Sequence, residues 1–183
     1  MRWIACLAIC MLVSGCDVAQ QPESLKTVAA FEIPLASEED RTEFLSVLRR
    51  AAEVEGMHVD SESEQDLASE AKLIPEAEKT MNAAVWRGSH DDEPIASVMD
   101  QRDHLGEVWI VFSKGEDPRA NSRFRERVMR EVRLHWPNTL SLPIMPTGAI
   151  PLHGDLIRTP DGYIVNPSAA SKYRLEDAEQ HRP

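Results

Sequence analysis

Apolar residues recur along this chain with two different periods, and the switches between them mark out its elements. The run 28–35 (VAAFEIPL) reads as a first strand. Pro34 has no N–H to give to a ladder, so it either confines that strand to a sheet edge or ends it. Ser37, Glu38, Glu39 and Asp40 then supply a cap and acids for the positive end of a helix. Phe44, Val47, Leu48, Ala51 and Val54 follow at three- and four-residue steps, which predicts a helix over 38–55 stopped by Gly56. Residues 57–59 suit a short strand. The stretch 60–79 turns strongly acidic and carries only Leu67, Leu73 and Ile74 as large apolar groups.

Three strand-like runs come next, at 80–88, 95–101 and 107–113, separated by the turn-rich 89–94 and by 103–106. The last of them (EVWIVFS) is continuous enough to be buried on both faces, and an antiparallel meander is the economical topology for strands so closely spaced. Asp117 followed by Pro118 caps a second helix over 117–135, with Ala120, Phe124, Val128 and Val132 every four residues and Pro137 beyond its end. Leu140 and Leu142 suit a final strand of the main sheet. The order strand, helix, strands, helix, strand predicts an α+β fold, a ferredoxin-like two-layer sandwich with two helices on a mostly antiparallel sheet.

Beyond residue 142 the pattern changes. Pro143, Pro146 and Pro151 exclude interior helix, so 143–183 reads as an extended Pro-rich wrap. Pro160-Asp161-Gly162 between two apolar runs predicts a β-hairpin near 156–165, and the charged residues after Tyr173 form a frayed tail. The expected domain is thus 28–142, preceded by a short tether over 16–27 that lacks any apolar period.

The first 15 residues follow other rules. Met1 and Arg2 make a positive start, and 3–13 (WIACLAICMLV) is an apolar run of signal-peptide length, well short of the roughly 20 residues needed to span a bilayer. Val13-Ser14-Gly15-Cys16 follows directly and resembles the lipobox of bacterial lipoproteins: a branched apolar residue, two small residues, then the cysteine to be modified. The resemblance implies cleavage between Gly15 and Cys16, a diacylglycerol thioether on Cys16, and an N-acyl chain on the new terminus. Two or more chains suffice for stable anchoring. The expected location is a bacterial cell envelope, facing the periplasm, with Asp17 resembling a signal to stay in the inner membrane and the outer membrane as the alternative.

Charge and cysteine content narrow the remaining classes. The formal net charge is −11, with 31 acids against 20 basic residues, and loss of Arg2 on cleavage makes it one unit more negative. Such a balance argues against nucleic acid as a partner. Only Cys6, Cys10 and Cys16 are cysteines, so a mature chain has one thiol, consumed by acylation, and no internal disulfide or cysteine metal site.

Motifs for chemistry are weak. The six histidines (58, 90, 104, 135, 153, 181) never fall at i, i+4. Ser89 with His90 or His104 lacks the second glycine of a nucleophile elbow, and His90-Asp91-Asp92 reads as a solvated loop. Asp60, Glu62 and Glu64 alternate as calcium ligands do, without the glycine or closing glutamate of such a loop. No catalytic residue, metal or cofactor is expected. Trp86, Trp109 and Trp136 read as packing. The second helix concentrates Arg119, Arg123, Arg125, Arg127, Arg130 and Arg133. Arg119, Arg123, Arg127 and Arg130 are candidate contacts to anionic head groups or an acidic partner, or else they pair with Glu126, Glu131 and the acidic 60–79 stretch. The expected function is a non-enzymatic, lipid-anchored protein-binding module, as an assembly accessory or a toxin-neutralising factor. A periplasmic hydrolase assembled from His90, Asp92 and His104, or a ligand-sensing domain, is the alternative.

Overall fold

The computed structural model describes residues 23–61, 81–88, 93–101 and 104–173. The leader, Gly15, Cys16 and Asp17, most of the acidic 60–79 stretch with Glu62 and Glu64, the loop residues Ser89, His90, Asp91 and Asp92, and the tail after Tyr173 lie outside them.

The described residues form an α+β fold with two long helices and one mostly antiparallel sheet. In chain order the elements are β1 (Thr27–Pro34), α1 (Glu38–Val54), β2 (His58–Ser61), β3 (Asn82–Trp86), β4 (Ala96–Gln101), β5 (His104–Ser113), α2 (Pro118–His135), β6 (Leu140–Ser141), β7 (Leu156–Thr159) and β8 (Gly162–Val165). Among the described residues the sheet has eight strands, ordered β2-β3-β4-β5-β1-β6-β8-β7. Only the β6–β8 pair is parallel. Strands β2 to β5 run as a meander of antiparallel neighbours.

Strand β1 lies inside the sheet, flanked by β5 and β6, so Pro34 does not make it an edge. Proline stands at its last position, where the strand ends. The helices form where local signals agree. Ser37 accepts from the Asp40 N–H and the Asp40 carboxylate accepts from the Ser37 N–H, a complete capping box at the start of α1. Asp117 accepts from the Ala120 N–H in front of Pro118 at the start of α2.

Both helices turn their apolar stripes into one core. Phe44, Leu48, Ala51 and Ala52 of α1 and Ala120, Phe124, Val128, Met129 and Val132 of α2 pack with alternate residues of the strands: Ile33, Val85, Val98, Val108, Ile110 and Phe112. Period 2 in the strands meets period 3.6 in the helices, which is the reason this face closes. The other face of β1 and β5 carries a second, smaller cluster. There Ala30, Trp109 and Leu142 are buried under Ile144, Ile150, Leu156 and Tyr163 from the chain after α2. The segment after β6 thus covers the outer face and then adds β8 and β7 to the sheet. Gly162 makes that addition feasible: at φ +141° a side chain is strained, and a Cβ there would stand 2.7 Å from the Ser141 carbonyl oxygen of β6.

Candidate functional site

The covered outer face holds a charged group in an apolar setting. In β1, Ala30, Glu32 and Pro34 share the face opposite Phe31 and Ile33, because side chains alternate along a strand. Glu32 is therefore directed away from the helices, onto the face that the C-terminal segment covers, and only 3% of it is exposed. Antiparallel register puts Trp109 directly across from Glu32 and Glu107 across from Pro34. Glu107 and Trp109 are two residues apart on β5, hence on one face, and Glu107 is the diagonal neighbour of Glu32.

Two neutral donors hold the Glu32 carboxylate. The Trp109 indole N–H donates to Oε2 at 3.1 Å and the Tyr163 hydroxyl donates to Oε1 at 2.7 Å. His153, in the 3-10 turn His153–Asp155 ahead of β7, brings its Nε2 to 4.0 Å from Glu32 Oε2 and 3.8 Å from Glu107 Oε2. Rings flank the imidazole, with Trp109 and Tyr163 each 6.0 Å away between centroids. Arg158 stands 3.7 Å from the other Glu107 oxygen. Burial first, and then its bond to Glu32, push the Tyr163 phenol well above its ordinary range. Tyr173 is also shifted upward, by its bond to Asp155 and then by burial.

These two are the only tyrosines in the chain. A phenol whose folded pKa is raised contributes stability that is fully present below the unfolded value of about 10 and is lost as pH rises past it. At pH 10.5 the folded protein is expected to show less phenolate absorbance at 295 nm than the same protein in denaturant at that pH. Free-tyrosine titration in the folded state would remove the Glu32–Tyr163 bond from the account.

The arginine-rich helix is put to partly structural use. Arg123 pairs with Glu55 at 2.9 Å and Arg127 approaches the other Glu55 oxygen at 3.7 Å. Glu55 is nearly buried and caps the C-terminal end of α1, where a negative charge opposes the helix dipole and a cation offsets it. Among the described residues the acid that pairs with these two is Glu55, rather than Glu126 or Glu131; most of the 60–79 stretch lies outside them. Arg119 and Arg130 are exposed. Arg133 places its guanidinium 5.9 Å from the centre of the Phe31 ring. Trp109 and Trp136 are buried, Trp136 donating to Asp40, and Trp86 stacks half-buried on His58.

A cleft of about 290 Å³ opens beside the start of α2, between Arg87, Glu93, Ser113 and Asp117. Two of its polar residues serve the fold: Asp117 caps the helix and faces Arg87 at 3.5 Å, and the Asn121 amide donates to the Lys114 carbonyl. Bonding to the Ala120 N–H, and then the Arg87 and Arg123 charges, hold the Asp117 carboxyl below its usual range.

None of the cluster residues Glu32, Glu107 and His153 stands out in the sequence, since 75 residues separate the two acids and the histidine lies 46 further on. One local signal exists: a lone glutamate inside the apolar run VAAFEIPL. Comparison with protein families, with curated proteins and with solved structures finds no match to this chain.

Proposed function

We propose that this chain is a lipid-anchored protein of a bacterial envelope, exposed to the periplasm, whose folded domain binds an extended segment of another protein. The anchoring half of this reading is supported by Val13-Ser14-Gly15-Cys16 behind a short apolar run. No helix among the described residues is long and apolar enough to cross a membrane.

One observation carries the docking half. Among the described residues β7 is the last strand of the sheet and has β8 as its single neighbour, so one side of its backbone can accept a further strand. Ile157 and Ile164 face each other across the β7–β8 pair and are 41% and 51% exposed. An open strand edge beside a paired apolar surface is the arrangement that β-augmentation uses: main-chain bonds give affinity and alternate side chains give selectivity. Assembly and toxin neutralisation are both served by such docking, and neither needs chemistry from this chain. The scaffold is read as an enlarged ferredoxin-like sandwich with an appended C-terminal hairpin. That reading is supported by the strand, helix, strands, helix, strand order of β1 to β6 and by the contact of α1 with α2.

The halves are tested separately. Cys16→Ser is expected to move the protein from the membrane to the soluble fraction of the producing cell, and wild-type mature protein to carry the mass of acyl chains at its amino terminus. An unmodified terminus, or a variant that still sediments with membranes, removes the anchor. For docking, a photo-crosslinking residue at Ile157 is expected to give one discrete adduct in intact cells, abolished by Ile164→Asp, with none from the same probe at Arg49 on α1. Equal labelling from both positions refutes the edge.

A further inference from the structure

We propose that Glu32, Glu107 and His153 form a binding site for a divalent transition-metal ion, with zinc the best match to the ligand set. Three elements distant in sequence, β1, β5 and the turn before β7, bring one carboxylate oxygen each of Glu32 and Glu107 and one imidazole nitrogen of His153 to within 4.8 Å of one another. Both separations from the imidazole, 4.0 and 3.8 Å, exceed hydrogen-bond length. Ligand atoms around a tetrahedral zinc at 2.0–2.2 Å stand roughly 3.3–3.6 Å apart. Loading therefore draws the histidine and each carboxylate together by a few tenths of an ångström. Adjustment between the two acids falls to Glu107, whose side chain is 32% exposed against 4% for Glu32.

Electrostatics points the same way. A buried carboxylate needs a compensating charge, and the donors bonded to Glu32 are a neutral indole and a neutral phenol. A second carboxylate close by, faced at 3.7 Å by the exposed Arg158, raises the demand, and a dication answers both acids at once. Donor chemistry selects the ion: an imidazole nitrogen and two carboxylate oxygens suit zinc, while calcium and magnesium favour all-oxygen shells with more ligands. The outer groups are those that orient metal ligands elsewhere. Tyr163 and Trp109 hold the Glu32 carboxylate, Arg158 faces the second Glu107 oxygen, and two rings flank the imidazole. Three protein ligands leave a fourth position for water. The site shares strands β7 and β8 with the docking edge but not the exposed Ile157 and Ile164, so either proposal can fail alone.

The test uses the full-length chain in detergent, stripped with EDTA, dialysed and titrated with ZnCl₂ in a non-chelating buffer. One equivalent is expected to bind. Glu107→Gln and His153→Gln, at partly exposed positions, are each expected to weaken binding at least ~100-fold, and Tyr163→Phe, which loses only an orienting bond, by ~10-fold. Glu39→Gln, on the exposed start of α1, is the control and leaves affinity unchanged. Co²⁺ in place of zinc is expected to give visible d–d bands that His153→Gln abolishes. The bands of the wild type alone report four-coordinate nitrogen and oxygen ligation, whether or not a variant folds. Absence of stoichiometric zinc binding by the wild type overturns the site. Undiminished binding by a Glu107→Gln/His153→Gln double variant overturns it in favour of other surface groups.

Discussion

Arg41→Ala is expected to lower unfolding free energy by about 3–5 kcal/mol, a large part of the roughly 5–15 kcal/mol that holds a domain together. The Arg41 guanidinium lies 2.7 Å from Asp100 Oδ2; its own side chain is 13% exposed and that of Asp100 is fully enclosed. The pair joins the first turn of α1 to the end of β4. Asp100 also accepts from the Met81 N–H at 3.2 Å, and the Met81 carbonyl accepts from the Asp100 N–H, so the carboxylate is fixed in place and cannot swing out to water. Removing the arginine takes away the cation that meets this enclosed charge at 2.7 Å, a loss greater than that of an exposed pair. The double replacement Arg41→Met/Asp100→Asn should therefore be clearly more stable than Arg41→Ala alone. Urea unfolding followed by tryptophan fluorescence measures both. A single variant within 1 kcal/mol of wild type would mean that water reaches Asp100.

Neither residue of this pair is marked by the sequence, although the elements they join are. Apolar spacing and capping predict a helix over 38–55 and the structure has Glu38–Val54; they predict one over 117–135 and the structure has Pro118–His135. Those signals are local: a cap, a proline at the first turn and a stripe of apolar residues all act within a few positions. Strand β5 begins at His104 rather than 107 because its first residues pair with the end of β4, a partner the periodicity of one segment does not reveal. The extent of the sheet was illegible for the same reason. Strands β6 and β8 meet at a single pair, Ser141 and Gly162, and only tertiary contact turns two short extended stretches into neighbours.

The candidate site was less legible than the fold. Its acids come from β1 and β5, its histidine from a turn inside the Pro-rich segment, and the register that joins them is a property of the assembled sheet. The sequence motifs that drew attention, Ser89-His90-Asp91-Asp92 above all, owe their prominence to adjacency along the chain, and they lie outside the described residues. Glu32 carries the opposite lesson. A charged residue in an apolar strand is costly unless something answers it, so VAAFEIPL itself asks for partners, while only the fold names Trp109 and Tyr163.

Phe124→Ala is expected to cost about 3–5 kcal/mol, and Leu134→Ala on the same helix less than about 0.5. Both are large apolar residues within α2, ten positions apart, and hydropathy alone ranks them alike. Phe124 is fully enclosed and meets Phe112 of β5 edge-on at 6.0 Å; Phe112 in turn meets Phe31 of β1 at 6.4 Å. Truncation removes the ring at the helix end of that stack and leaves a cavity between helix and sheet, where a close-packed core relaxes only in part. Leu134 is 73% exposed and exchanges one solvent-facing side chain for another. The contrast reads the rotation of the helix about its axis, because ten residues amount to a little under three turns and put the two positions about 80° apart. Equal losses at the two sites, measured by the same urea unfolding, would mean that α2 presents a different stripe to the sheet, and with it that Arg123 and Arg127 do not reach Glu55.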